Sequence, residues 1–239
     1  MAFCCLFTHV LLDAFTSWGT QILWPLPYRF ALETIFVIDP LYTVPLLVSL
    51  VYVWRNKEVL KRRKYVIRGL IVSSMYLLIG CGLKLYTLNK FEKALAEQNI
   101  RYDHIIVKPT AFNCILWNAN VDTEAAYLMG DYSLFDSQPI TFTTYPKARA
   151  IETPLHGNAD FEKLKDISEG WYLVTEKMGH LYFNDLRFGL FDDNPKNPEF
   201  VFSYRFDEKE GRIQAFEVEK NPKDGKALVE KLVSRIKGN

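Results

Sequence analysis

His9 and Asp13 stand four residues apart in THVLLDAFTSWGTQ, within an otherwise oily stretch. In a helix, positions i and i+4 project from one face. Imidazole and carboxylate are ligand types that suit zinc and other first-row divalent metals. A metal held this way acidifies a bound water and polarises an ester or phosphoryl oxygen. Two ligands do not complete a site, so at least one or two more must come from elsewhere. The competing reading of the pair is a plain hydrogen bond on a helix face. Depth in a membrane favours function, because ionisable groups are costly there. Asp39, in IFVIDPLYT, gains weight by the same argument, although Asp before Pro is also a common turn or cap element. Thr16 and Thr20 add hydroxyls, which commonly satisfy nearby backbone groups.

Those residues need elements to position them. The chain has a net charge of +1 and a mean hydropathy of −0.05, averages that hide two unlike parts. Residues 1–88 hold nine Lys/Arg and four Asp/Glu, whereas residues 89–239 hold twenty and twenty-four. The first part reads as membrane helices: a partial helix over 1–17 and spans over 34–54 and 66–87, each near the 20 residues that cross a bilayer. Pro40 and Pro45 would kink the first span. Residues 55–68 carry seven basic residues and one acidic, so the loop between the spans is expected in the cytoplasm. Trp18, Trp24 and Tyr28 suit the opposite interface, and everything after residue 88 lies on that outer side. A nucleic-acid or anionic-lipid site at KRRK is set aside, since orientation already explains the loop.

Residues 89–99 continue as a polar helix. Strands are expected near 103–108, 112–118, 124–130, 139–145, 171–177, 180–186, 199–206 and 212–218. WYLVTEK and HLYFNDL form a hairpin across Met178-Gly179. Residues 193–198 are a loop, and Asp224 caps a C-terminal helix with one apolar stripe. The fold class is therefore α+β: a helical transmembrane part, then an antiparallel, β-rich extracytoplasmic domain over 89–239. Four cysteines at these spacings make neither a disulfide framework nor a zinc pattern and read as small buried hydrophobes. His104, His156 and His180 are isolated, with no carboxylate or Cys at ligand spacing. Gly80 and Gly82 are expected to ease helix packing.

THVLLDAFTSWGTQILWP, RFAL and IFVIDPLYTVPLL together resemble the bacterial inner-membrane family of membrane-bound metal-dependent hydrolases, one branch of which is LexA-regulated. KPTAFNCILWN, GDYSLFD and FVFSYRFD extend the resemblance weakly. It implies that His9 and Asp13 are ligands of a divalent metal, zinc or manganese, and that Asp39 is a catalytic or supporting carboxylate. It also implies a multi-pass inner-membrane hydrolase of esters or phosphoesters, in contact with the lipid bilayer and a small-molecule or lipid substrate. Family members carry further His and Asp stretches upstream that do not occur here, so the chain is expected to be N-terminally truncated, with the partners of His9 and Asp13 in the preceding segment. The alternative is a non-catalytic membrane protein whose exterior domain binds a partner or envelope component.

Overall fold

A computed structural model of the chain describes residues 2–26, 28–192, 198–209, 211–219 and 224–239. Three helices come first: α1 (Ala2–Asp13), α2 (Pro40–Arg55) and α3 (Val59–Glu97). At 1.5 Å per residue α3 is about 58 Å long, roughly twice the hydrocarbon thickness of a bilayer. It is the one described helix long and apolar enough to cross a membrane. It contains the expected span 66–87 and the polar continuation in a single rod.

The expected span 34–54 is shorter as a helix. Residues 34–39 are not helical, because the amides of Thr34 and Ile35 are held by the carbonyl of Phe15 at 2.9 and 3.2 Å. Pro40 opens α2 at its first turn, where its missing N–H and fixed φ cost nothing. Sixteen residues give α2 about 24 Å. Residues 56–58 turn it back onto α3, and the two pack closely where Gly69 meets Ser49.

Eight strands follow: β1 (His104–Pro109), β2 (Leu116–Asp122), β3 (Ala126–Ser133), β4 (Thr143–Pro146), β5 (Tyr172–Lys177), β6 (His180–Asp192), β7 (Glu199–Lys209) and β8 (Arg212–Glu217). They form two antiparallel four-stranded meanders, β1–β4 and β5–β8. Alternation along the strands determines the layers. Val107, Trp117, Ala119 and Val121 face α3, around Phe91 and Leu95. Tyr127, Met129 and Tyr145 on the other face meet Leu173, Leu186 and Phe200 of the second sheet. That sheet's outer face holds Val174, Phe183 and Phe206 under Leu155, Phe161 and Leu164. The order through the molecule is helix, sheet, sheet, helix.

The outermost layer is a 3₁₀ helix (Arg149–Leu155) and α4 (Ala159–Ile167). Asn158 caps α4, its side chain accepting from the amides of Asp160 and Phe161 at 3.0 and 3.1 Å. The hairpin across Met178-Gly179 is present, both residues having positive φ as its two-residue turn requires. The second strand starts at Leu116, four residues later than expected. Asn113 causes the shift: its side-chain oxygen takes the amides of Ile115 and Leu116 at 2.9 and 2.7 Å, bracing 110–115 as a loop. The chain closes with α5 (Asp224–Ile236). Residues 193–197 of the expected loop 193–198 lie outside the described residues, and Asp224, expected as a cap, is the first residue of α5 itself.

Candidate functional site

α1 brings the first two candidates together. His9 Nε2 lies 3.4 Å from Asp13 Oδ2, and both side chains are open to their surroundings, 72% and 43% exposed. Two ligand atoms about 2.05 Å from a tetrahedral cation stand about 3.4 Å apart, so the separation matches one edge of a zinc-type tetrahedron. The rest of α1 is unlike a solvated helix, since Phe3, Leu6, Phe7 and Leu11 are exposed beside the pair. Among the described residues no group of three His, Cys, Asp or Glu is placed to hold a metal ion. The pair therefore fits a divalent cation in spacing and ligand type, but not in ligand number.

The backbone after α1 is tied down. Thr16 is buried, and its hydroxyl donates to the carbonyl of Asp13 at 2.8 Å. Thr20 and Phe30 exchange backbone hydrogen bonds of 3.1 and 2.9 Å. The hydroxyl of Thr16 thus satisfies backbone as threonines commonly do, whereas the bonds of Thr20 are main-chain.

Asp39 is not joined to His9 or Asp13 by any hydrogen bond or ion pair among the described residues. It is buried at the start of α2, where Oδ1 accepts the amide of Leu41 at 2.9 Å and Oδ2 accepts the hydroxyl of Tyr76 at 2.6 Å. It is the N-cap of α2, and through Tyr76 it fastens that helix to α3. Tyr76 also packs against the core cluster that holds Cys114 and Trp117, which links the helical part to the first sheet.

Near the end of the uncharged stretch of α3 is a group that sequence reasoning missed. Lys84 pairs with Glu33 at 2.8 Å and also donates to the carbonyl of Val107. Next along β1, Lys108 is 6% exposed and its ammonium has no hydrogen-bond partner among the described residues. Burial holds its pKa down to about 8; Glu33 and Asp185 oppose that shift, while Arg187 and Lys84 add to it. Asp185 and Arg187 form their own buried pair at 2.9 Å. These five residues come from four distant stretches, so no local spacing could reveal them. The ring of Phe188 covers Lys108 at 5.4 Å, and Trp18, expected at a membrane interface, packs tilted against Phe188 with ring centroids 4.7 Å apart.

His180 is not isolated. Its Nδ1 lies 3.0 Å from Asp207 Oδ1, across the β6–β7 pairing, and Arg205 binds the other carboxylate oxygen at 2.5 Å. A strand crossing supplied the partner that sequence spacing could not show. The three line an open groove of about 570 Å³, and among the described residues lining it there is no Ser, Thr or Cys. Cys114 is buried as expected, whereas Cys4 and Cys5 are exposed on α1. Gly80 does permit close packing, but against the non-helical stretch before α2 and not against another helix, a Cβ there coming within 2.9 Å of the carbonyl of Thr34; Gly82 meets nothing within 4 Å.

No curated protein and no solved structure matches the chain. The family model described as YdjM inner membrane protein matches residues 1–86. The matched region carries His9, Asp13, Asp39 and Tyr76 and ends within α3, ahead of both sheets. With the apolar length of α3, this similarity to YdjM inner membrane proteins supports an inner-membrane protein.

Proposed function

We propose that the chain works as a membrane-bound, metal-dependent hydrolase of esters or phosphoesters, with His9 and Asp13 as two of the metal's ligands. The observation that carries the reading is the 3.4 Å separation of Nε2 and Oδ2 on an exposed face of α1. Remaining coordination positions fall to water, substrate or residues outside those described. A divalent cation supplies a Lewis acid and an acidified water. In this reading Asp39 is a positioning residue that holds α2 on α3 beneath the segment leading away from α1.

Orientation belongs to the same proposal. The basic stretch 55–68 covers the turn between α2 and α3, and we place it in the cytoplasm by its charge. Both sheets then stand outside, attached along α3, and external protease should digest them in spheroplasts.

The test is hydrolysis of bis(p-nitrophenyl) phosphate and p-nitrophenyl esters by the full chain with zinc or manganese. Turnover that His9→Ala and Asp13→Ala each abolish supports the reading. Turnover unchanged in both variants, or absent with both metals, overturns it. A second reading, a non-catalytic membrane protein whose β-rich domain binds an envelope component, is favoured by the engagement of both Asp39 oxygens within the fold.

A further inference from the structure

The last helix has an apolar face wider than the fold covers. In α5, Leu228, Val229, Leu232, Val233 and Ile236 follow at i, i+1, i+4, i+5 and i+8, one stripe of an amphipathic helix. Leu228, Leu232 and Ile236 are partly buried, whereas Val229 and Val233 are 48% and 47% exposed. By spacing, Glu230 and Ser234 fall on the other side of the helix. The segment is also basic: residues 220–239 carry six Lys/Arg and two Asp/Glu. Lys237, four residues after Val233 and so on the same side, is exposed.

Contacts along α3 fix the level at which α5 is held. Between Arg68 and Lys84 α3 carries no charge, a stretch of about 22 Å, so Lys84 marks where the helix leaves the hydrocarbon. Lys84 donates to the carbonyl of Val107 in β1, and the hydroxyls of Tyr86 and Tyr132 are 3.4 Å apart. β1 doubles back along α3, and two antiparallel pairings give β3 the same direction, toward the membrane. The end of β3 therefore stands at the Lys84 level. There the last turn of α5 is fastened. Ser133 Oγ donates to the carbonyl of Ile236 at 2.6 Å, and Arg235 donates to the carbonyl of Asp131 at 2.9 Å. Arg235 also forms a two-pronged pair with Asp136, both bonds being 2.6 Å.

We propose that α5 is an interfacial helix, with Val229 and Val233 at the boundary of head groups and acyl chains and its basic segment against anionic phosphates. The occupant of the open strip is lipid for two reasons. The strip belongs to a helix clamped at the depth where α3 passes from hydrocarbon to water, and its positive charge complements an anionic bilayer surface. The Arg235–Asp136 clamp then transmits that contact to the first sheet, which gains a second hold on the membrane besides α3.

Nitroxide labels on Val229→Cys and Val233→Cys, each in the full chain with Cys4, Cys5 and Cys81 replaced by Ser, test this in vesicles of phosphatidylethanolamine and phosphatidylglycerol. The buried Cys114 is retained, and its residual labelling is subtracted with the parent. Leu78→Cys on the exposed face of α3 and Glu124→Cys in the β2–β3 turn, at the far end of the first sheet, bracket the scale. The expected ratio of oxygen to nickel-chelate collisions at 229 and 233 lies between those at 78 and 124, severalfold above the latter. Replacing phosphatidylglycerol with phosphatidylcholine is expected to lower it. Ratios equal to that at 124 would place α5 in water and overturn the proposal. Labels that neither collider reaches would mean that protein, another segment or a second copy, covers the strip, and would overturn it equally. Ratios indifferent to phosphatidylglycerol would overturn the recognition of anionic lipid.

Discussion

Tyr76, in the middle of the longest helix, donates a 2.6 Å hydrogen bond to the buried carboxylate of Asp39, thirty-seven residues earlier. The same carboxylate caps α2 through Leu41. One side chain thus starts a helix and fixes it to its neighbour, and the aromatic ring delivering the bond also packs against the core between α3 and the first sheet.

Removing the hydroxyl isolates that joint. Tyr76→Phe leaves Asp39 Oδ2 buried without its donor, which costs about 1–3 kcal/mol. A lowered thermal midpoint in detergent is expected. Asp39→Asn, which can still cap, should lose less than Asp39→Ala. Equal losses in the two Asp39 variants would mean that capping contributes little.

Lys108 gives the fold a dependence on alkaline pH. Its pKa is about 8 when folded against an ordinary 10.5. A base with a depressed folded pKa weakens the fold while it is charged, below pH 8. Between pH 8 and 10.5 the unfolded chain binds the extra proton, so stability rises with pH, by about 3 kcal/mol in total. Lys108→Met should be more stable than the parent at pH 7 and lack that rise. Parallel pH profiles for the two proteins would refute the assignment.

Gly80 and Gly82 separate packing from composition. Gly80→Val drives a side chain into the backbone of Thr34 and should lower the thermal midpoint clearly. Gly82→Ala meets open space and is expected to be neutral or stabilising by up to about 1 kcal/mol. Equal losses at the two positions would mean that the close approach at Thr34 is unimportant.

Much of the architecture was legible because it is local. Charge asymmetry separated the helical part from the sheets, and runs rich in β-branched and aromatic residues located most strands within a few residues. The Met178-Gly179 turn could be read from its own two residues. Asn113 deceived because AFNCIL has strand composition while its amide side chain competes for the ladder's hydrogen bonds. α4 carried an available signal, an Asn cap followed by acidic residues and then Phe161 and Leu164 three apart, which short length concealed. The site divides similarly. His9 and Asp13 share a helix turn, so spacing alone brought them together. The Glu33, Lys84, Lys108, Asp185 and Arg187 group, and the partner of His180, depend on strand pairing and on α3 passing the sheet. No window of sequence contains those relationships.

The metal reading of α1 rests on one pair of side chains, and direct binding tests it without any assumed substrate. The full chain in detergent, dialysed free of metal, is titrated with zinc and with manganese, beside His9→Ala and Asp13→Ala. The account expects about one equivalent of one of these ions on the parent and none on either variant, the coordination needing both ligands. A parent that binds neither ion, or variants that bind as the parent does, would contradict it.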